Sequence, residues 1–305
     1  MNISSPDATA AEVQAIRRQS EQTRVKGFVK WLLRFPWFPM IILFMVFSCA
    51  LLGPIIIPHD HGALNLGVAL KPPFWEEGAV KSYPLGTDNL GRDIFSRIIM
   101  GARVSVVVAG WAILFSGAIG SLMGMLAGYF GGKTDMLIMR LVDIQMSVPA
   151  LALALVLAAA LNPGMTTVII VIVVTYWTWY ARIVRGEVLS LKERDFIALA
   201  KVAGCNAMSI LIKHFFPNIL NTLLVLATLQ LGSVIIYEAS LSFLGLGIQP
   251  PDVSWGLMLS DARPYITVAW WIITLPGIAI VLTCLGSNLM GDWLRDTLDP
   301  KRRQL

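Results

Sequence analysis

Two short motifs in this sequence carry residue types that could bind a ligand. Gly131-Gly132-Lys133-Thr134 resembles the end of the loop G-x-x-x-x-G-K-[ST], whose backbone amides hold nucleotide phosphates. That loop requires a glycine five positions before Gly132, where this chain has Ala127. The motif also follows a long apolar segment instead of a buried strand. We interpret it as a tight turn with a basic residue beside it.

The second motif is His59-Asp60-His61, in which two imidazoles and a carboxylate could hold a transition metal. The remaining histidine, His214, is far away in the sequence, so no third imidazole is at hand to complete a site. We interpret the triplet as a polar loop that follows Pro58.

The same shortage of reactive groups applies to the whole chain. Three histidines and scattered acids offer no nucleophile, base and metal set that could converge on a substrate. Cys49, Cys205 and Cys284 are far apart, which gives neither a disulfide framework nor a zinc-binding spacing. The sequence therefore predicts no catalytic residue, no metal site and no cofactor in this chain, and a membrane-anchored enzyme is the least favoured class.

The elements that must position any functional residue are membrane helices. Of the 305 residues, 56% are hydrophobic and 14% are charged, and the mean hydropathy is +0.70. Soluble domains have about 45–50% apolar and about 25% charged residues. Six segments reach the length of about 20 apolar residues that crosses a bilayer. They are residues 37–57, 104–130, 136–161, 165–183, 219–239 and 266–290. We predict an all-α, polytopic membrane protein with six transmembrane helices.

Lysine and arginine placement predicts the orientation of these spans. If the N-terminus lies in the cytoplasm, 18 of the 24 basic residues lie on the cytoplasmic side. Basic residues near span ends resist translocation, so we expect both termini to be cytoplasmic. The net charge of +5 then reflects topology, and we expect no nucleic-acid partner.

The spans divide the chain into four parts. Residues 1–36 form a predicted cytoplasmic tail, and residues 37–103 hold the first span and an extracytoplasmic loop. Residues 104–290 form a core of five spans that includes a long cytoplasmic loop at 186–217, and residues 291–305 form a second cytoplasmic tail.

Small and polar residues distinguish three of the spans. Gly120, Gly124 and Gly128 recur every four residues, which predicts a flat face for close helix packing, within the chain or against a partner. Other spans carry hydroxyl, amide and aromatic groups that could line a pathway, although an interfacial aromatic belt explains some of them equally well. The candidate lining residues are Tyr176, Thr178, Asn221, Gln230 and Ser233.

The loop 186–217 is amphipathic and too polar to be buried in lipid. It fits two short helices, at about 192–203 and 207–215, with Gly204 allowing a sharp turn between them. Pro217 is then expected to reset the chain before the next span. Such a helical knob suits the groove of a partner protein, and an amphipathic helix lying on lipid is the alternative.

Within this loop the chain resembles the EAA loop of bacterial ABC importer permeases. Ala198-Leu199-Ala200 falls on EAA, Gly204 falls on the conserved glycine, and Pro217 falls on the final proline of that pattern. His214 and Phe216 occupy its I and L positions, and Ala198 replaces its acidic residue.

Three further stretches resemble the C-type permease subunit of dipeptide, oligopeptide and nickel ABC importers. They are Leu85-Gly86-Thr87-Asp88 with Gly91-Arg92-Asp93, Leu241 to Gly247 with Ser254-Trp255-Gly256, and Gly291-Asp292 with Leu294-Arg295-Asp296. Their order around six spans extends the resemblance over nearly the whole chain after Trp31.

The resemblance implies a type I ABC importer permease of the bacterial cytoplasmic (inner) membrane. It implies four partners: a homologous B-type permease, two ABC ATPases that bind the ATP and Mg, and an extracytoplasmic substrate-binding protein. Peptides are the implied substrates, with nickel or another small solute as the alternative. A self-sufficient secondary carrier is a further alternative, but it would need more buried charges than the spans contain.

The resemblance also implies roles for individual residues. The implied ATPase-docking loop contains Asp195, Phe196, Ala198, Leu199, Ala200, Gly204, His214 and Pro217. The implied outer gate or binding-protein contact contains Gly86, Asp88, Arg92, Asp93, Glu238, Gly245, Gly247 and Trp255.

Overall fold

The computed structural model describes residues 35–298, which fold into helices joined by loops. The helices are α1 (Trp37–Ile56), α2 (Ile94–Phe130), α3 (Gly132–Ser147), α4 (Ala150–Ala159), α5 (Met165–Lys192), α6 (Asp195–Val202), α7 (Ala207–Phe243), α8 (Trp255–Ala262) and α9 (Trp271–Leu298). Across residues 35–298, β structure is limited to an isolated bridge between Thr87 and Asp93. The prediction of an all-α fold is confirmed.

Within residues 35–298, five helices are long and apolar enough to cross a membrane, namely α1, α2, α5, α7 and α9. The third predicted span, 136–161, is not a single helix, because α3 and α4 meet at an angle of 89°. Pro149 follows Val148 at the break, and a proline disfavours the helical conformation of the residue before it. The prediction of six spans therefore holds only if this bent pair crosses the membrane as one.

Several helices extend beyond the predicted apolar cores. Helix α2 begins ten residues before the predicted start at 104, because Asp93 caps it by accepting from the backbone N–H groups of Phe95 and Ser96. Helix α9 begins at Trp271 and continues past Gly291 to Leu298. The predicted tail at 291 therefore starts inside a helix. Residues 1–34 and 299–305 lie outside the described residues, and the cytoplasmic placement of both termini stays a prediction.

The glycine face of α2 packs against α5 of the same chain. A Cβ at Gly120 would lie 2.3 Å from the carbonyl oxygen of Trp177, and one at Gly124 would lie 2.5 Å from that of Ala181. A Cβ at Gly128 would lie 2.8 Å from Cγ1 of the Val188 side chain. The prediction of a packing face is confirmed, and it acts within the chain.

The short helix α8 joins two of the long helices. Trp255 at its start is buried, and its indole N–H donates to the carbonyl oxygen of Ile98 in α2 at 2.9 Å. Gly256 lies directly on the backbone of Ala239 in α7, where an added Cβ would be 2.5 Å away. Helix α8 therefore holds α2 and α7 together.

Candidate functional site

Helix α6 is held by one side and leaves an apolar side exposed. Ile197 is completely buried in a cluster that contains Val184, Val188 and Phe215 of α5 and α7, and Ala200 is 8% exposed. Other apolar side chains of α6 are exposed. Exposed fractions there are 39% for Phe196, 67% for Leu199 and 87% for Val202. Asp195 and Ala198 are also exposed.

A tight turn fixes the position of α6. Gly204 has a φ of +79°, a backbone conformation that residues other than glycine rarely adopt. Its N–H donates to the carbonyl oxygen of Lys201 at 3.0 Å. The Asn206 side chain then caps α7 by accepting from the N–H of Ser209 at 2.8 Å. The predicted turn at Gly204 is confirmed.

The second predicted knob helix is not a separate element. Residues 207–215 form the start of α7, which continues through Pro217 to Phe243. Ile210–Phe215 winds as a π-helix immediately before the proline, where the missing N–H and the ring of Pro217 disturb the regular bonding pattern. His214 lies in this π-helical segment. Pro217 therefore does not separate two helices, but it is the second residue of the α-helical part of α7, Phe216–Phe243.

Ion pairs tie α5 to α3 near this end of the molecule. The Arg185 guanidinium donates to both carboxylate oxygens of Asp135, at 2.5 and 2.6 Å. Arg182 donates to Asp143 at 2.5 Å. The partner of Asp143 is therefore on another helix, 39 residues further along the chain.

All five candidate pathway residues line cavities along α5 and α7. Tyr176, Gln230 and Ser233 line a cavity of about 400 Å³. Asn221 lines a second one of about 500 Å³, and Thr178 lines a third of about 230 Å³.

The three cavities form one trough, because neighbouring cavities share lining residues. The 400 and 500 Å³ cavities share Ile183, Leu226 and Leu229, and the 400 and 230 Å³ cavities share Ala150, Thr175 and Trp179. We refer to these three cavities as the trough.

Gln145 is a functional candidate that the sequence did not single out. Its side-chain NH₂ donates to the carbonyl oxygen of Val174 at 2.6 Å, and its side-chain oxygen accepts from the indole N–H of Trp177 at 3.0 Å. It therefore ties the bend between α3 and α4 to α5 beside the 230 Å³ cavity, which it also lines. A lone glutamine in an apolar segment gave a weak signal, since its partners are about 30 residues away.

On the opposite side of the fold, four charged side chains form one network. The Asp88 carboxylate accepts from the Arg92 and Arg97 guanidinium groups, both at 2.6 Å. The same two arginines donate to Asp261 of α8, at 2.9 and 3.2 Å. The network fastens the loop before α2 to α8.

Removing Arg97 should weaken the outer part of the fold more than removing Arg92. The Arg97 side chain is 3% exposed and that of Arg92 is 13% exposed, so the space that Arg97 leaves is less open to water that could hydrate Asp88. We expect Arg97→Leu to lower the free energy of unfolding by about 3 kcal/mol. This is the lower end of the range for breaking a buried ion pair, because Arg92 still pairs with both carboxylates. Melting of the purified protein in mild detergent measures this. Equal melting temperatures for Arg97→Leu and wild type would contradict it.

Most of the residues implied as an outer gate or binding-protein contact are buried. Asp88, Asp93, Glu238 and Trp255 are each at most 3% exposed. They hold loops and helix ends together and offer no surface to another protein. The expectation that these four residues contact the binding protein directly is therefore wrong. Gly86 and Gly247 are buried as well, Arg92 is mostly so, and Gly245 is exposed. A role in gating stays a prediction.

Glu238 is fully buried at the centre of a hydroxyl network. Ser105 of α2 donates to its carboxyl group at 3.0 Å, and Ser242 does so at 2.8 Å. Ser254, at the start of α8, makes a further side-chain hydrogen bond to it. The Ser242 hydroxyl in turn accepts from the N–H of Ile248 at 3.0 Å. The network connects α2, α7, α8 and the loop between α7 and α8.

The two motifs that could bind a ligand have structural roles. Gly131 and Gly132 have φ values of +67° and +52° and form the turn between α2 and α3. The His59 ring stacks on Tyr83, with ring centres 4.7 Å apart, and lies 3.5 Å from Asp93. Among residues 35–298, no three His, Cys, Asp or Glu side chains are grouped to hold a metal ion.

Comparison with known proteins gives consistent matches. Residues 120–304 match the family described as "Binding-protein-dependent transport system inner membrane component". The di/tripeptide transport system permease protein DppC of Pseudomonas aeruginosa is 41% identical over 262 residues, which is 86% of each chain. The oligopeptide transport system permease protein OppC of Bacillus subtilis is 39% identical, over 87% of this chain and 85% of the relative.

A solved structure shares the fold at low sequence identity. A chain of the MetNI methionine ABC transporter, solved in inward-facing conformations, superposes with a TM-score of 0.55 at 19% identity. The match covers 68% of this chain and 98% of the other. The arrangement of helices is therefore that of an ABC importer permease.

Proposed function

This chain belongs to the binding-protein-dependent transport system inner membrane component family, and on that premise we propose that it forms half of the pathway through which an ATP-driven ABC importer moves peptides. The relatives that match over most of its length are named as dipeptide or oligopeptide transport permeases. It works in the bacterial cytoplasmic membrane as a multi-pass subunit.

The exposed apolar side of α6 is the observation that supports this function most directly. Leu199 and Val202 are 67% and 87% exposed beside the charged residues of the same segment. An apolar patch with a polar rim marks a protein contact. We assign it to the ATPase subunits, which hydrolyse ATP and bind Mg, and this chain supplies no catalytic group.

The buried side of α6 connects that contact to α5 and α7. Ile197 packs in the same cluster as Phe215 of α7 and Val188 of α5, and all three are completely buried. Close-packed side chains transmit displacement and do not absorb it. When the ATPases close on ATP, α6 is pushed, and the two helices that line the trough move with it.

The remaining partners follow from the trough and the outer network. A homologous B-type permease completes the pathway that the trough lines. An extracytoplasmic binding protein delivers the peptide to the outer loops, which the Asp88 and Glu238 networks hold in place. This assembly has a permease pair, two ATPases and a binding protein.

Uptake into proteoliposomes that contain the whole assembly tests the proposal. We expect ATP-dependent accumulation of a radiolabelled dipeptide that requires both the binding protein and this chain. Accumulation of nickel and not of peptide would replace the substrate class and keep the importer. Uptake by this chain alone, without ATP, would instead identify a secondary carrier.

A further inference from the structure

The inner cavity of the trough contains two opposite charges that the proposed function does not yet use. The cavity of about 500 Å³ lies between α5, α7 and α9. Its lining includes Glu187 and Arg295, together with Asn218 and Asn221. A volume of this size fits a small ligand.

Glu187 is held in the wall by a neighbour from another helix. The Thr222 hydroxyl of α7 donates to one carboxylate oxygen of Glu187 at 2.6 Å. A carboxylate accepts about four hydrogen bonds, so Glu187 keeps acceptor capacity for a further donor. Within residues 35–298, neither Glu187 nor Arg295 has an ion-pair partner. Both charges are therefore available to a ligand.

The charge pattern selects one chemical class of solute. A metal cation would be repelled by Arg295, and an anion would be repelled by Glu187. A zwitterion with separated ammonium and carboxylate groups satisfies both, with a charge-assisted hydrogen bond at each end. Ile183, Leu226 and Leu229 connect this cavity to the rest of the trough and provide apolar surface for side chains.

We propose that Glu187 and Arg295 form a binding site for the two charged termini of a short peptide at the inner end of the trough. Glu187 receives the ammonium group and Arg295 receives the carboxylate. The site rests on the proposed function, because it binds the peptide that the importer moves, and it adds terminus recognition by the permease to the selection made by the binding protein.

Equilibrium dialysis of blocked and unblocked dipeptides tests the site on the purified permease–ATPase complex, without ATP and without binding protein. The probes are radiolabelled alanyl-alanine, N-acetyl-alanyl-alanine and alanyl-alanine amide. We expect alanyl-alanine to bind wild type about tenfold more tightly than either blocked form, since each blocked form loses one charged hydrogen bond.

Two variants connect each terminus to its residue. Glu187→Gln should weaken the binding of alanyl-alanine about tenfold and leave the binding of N-acetyl-alanyl-alanine unchanged. Arg295→Gln should weaken the binding of alanyl-alanine about tenfold and leave the binding of alanyl-alanine amide unchanged. Glu193→Gln and Arg194→Gln remove the same charges from exposed positions outside the cavity and should bind like wild type.

Each result bears on the site separately from the importer function. Equal binding of all three peptides to wild type, or no saturable binding, overturns the site even if both variants fail to fold. If proteoliposomes still accumulate dipeptide with ATP, the proposed function stands without it. If they accumulate no peptide, the proposed function falls as well.

Discussion

Replacing Leu199 and Val202 together with aspartate abolishes ATP-dependent transport and leaves the chain folded in the membrane. Both side chains are mostly exposed, at 67% and 87%, so neither contributes to the cluster that holds α6. When the ATPase covers this patch, two carboxylates lose their hydration without a compensating partner, which costs several kcal/mol for each. That exceeds what a docking patch of one short helix supplies.

Co-purification of the ATPases with the tagged chain measures the loss, and uptake into proteoliposomes measures its consequence. The matched control is Lys201→Gln, an exposed position on the same helix outside the apolar patch. It should retain ATPase binding. An ATPase that co-purifies normally with the double aspartate variant would remove the docking role from α6.

Replacing Gly120 and Gly124 together with alanine should strongly destabilise the chain. Each new Cβ would lie within 2.5 Å of a backbone carbonyl oxygen in α5, so the helix backbones must move apart. Overpacking costs about 1–3 kcal/mol at each site, which predicts a loss of about 2–6 kcal/mol in the free energy of unfolding. Unfolding by SDS titration from mild-detergent micelles measures it.

Gly110→Ala is the control, because it lies on the same helix and an added Cβ there meets no atom within 4 Å. Alanine also favours the helix at this exposed position, so this variant should be as stable as wild type or slightly more stable. A double variant that unfolds at the wild-type SDS fraction would show that α2 and α5 tolerate separation.

The sequence predicts the helices of this fold well and their ends poorly. Apolar length identifies a membrane helix, since hydrocarbon demands internal hydrogen bonding along its whole span. It says nothing about polar continuations, which is why α2 was expected to begin at 104 and not at Ile94. The capping residue Asp93 was visible, but it was interpreted as part of an external contact.

The bend between α3 and α4 illustrates a different failure. Val148-Pro149 is a break signal, yet the segment 136–161 is apolar enough as a whole to predict one span. Apolar composition therefore favours a single helix, against the proline. In a membrane helix, neighbouring groups often satisfy the freed backbone, so proline alone does not decide between a kink and a turn.

Site residues were predictable where the pattern is local. The exposed apolar side of α6, which we propose as the ATPase contact, follows from α6 alone, because exposed and buried positions alternate with the helical period. The Glu238 network could not be found in this way, since Ser105 is 133 residues away from its acceptor. Residues such as Asp88 and Trp255 were recognised as important, but only packing reveals that they are internal supports.

The unbroken course of α7 restricts how the two faces of the membrane can open. Its 37 residues form a rod about 55 Å long, with the α6 cluster near one end and Glu238 near the other. A rod that pivots near its middle by about 5° moves its ends about 2 Å in opposite directions. In the proposed importer, a pivot that widens the pathway at the α6 end of α7 would therefore narrow it at the Glu238 end. The pathway would then not be open at both ends at the same time.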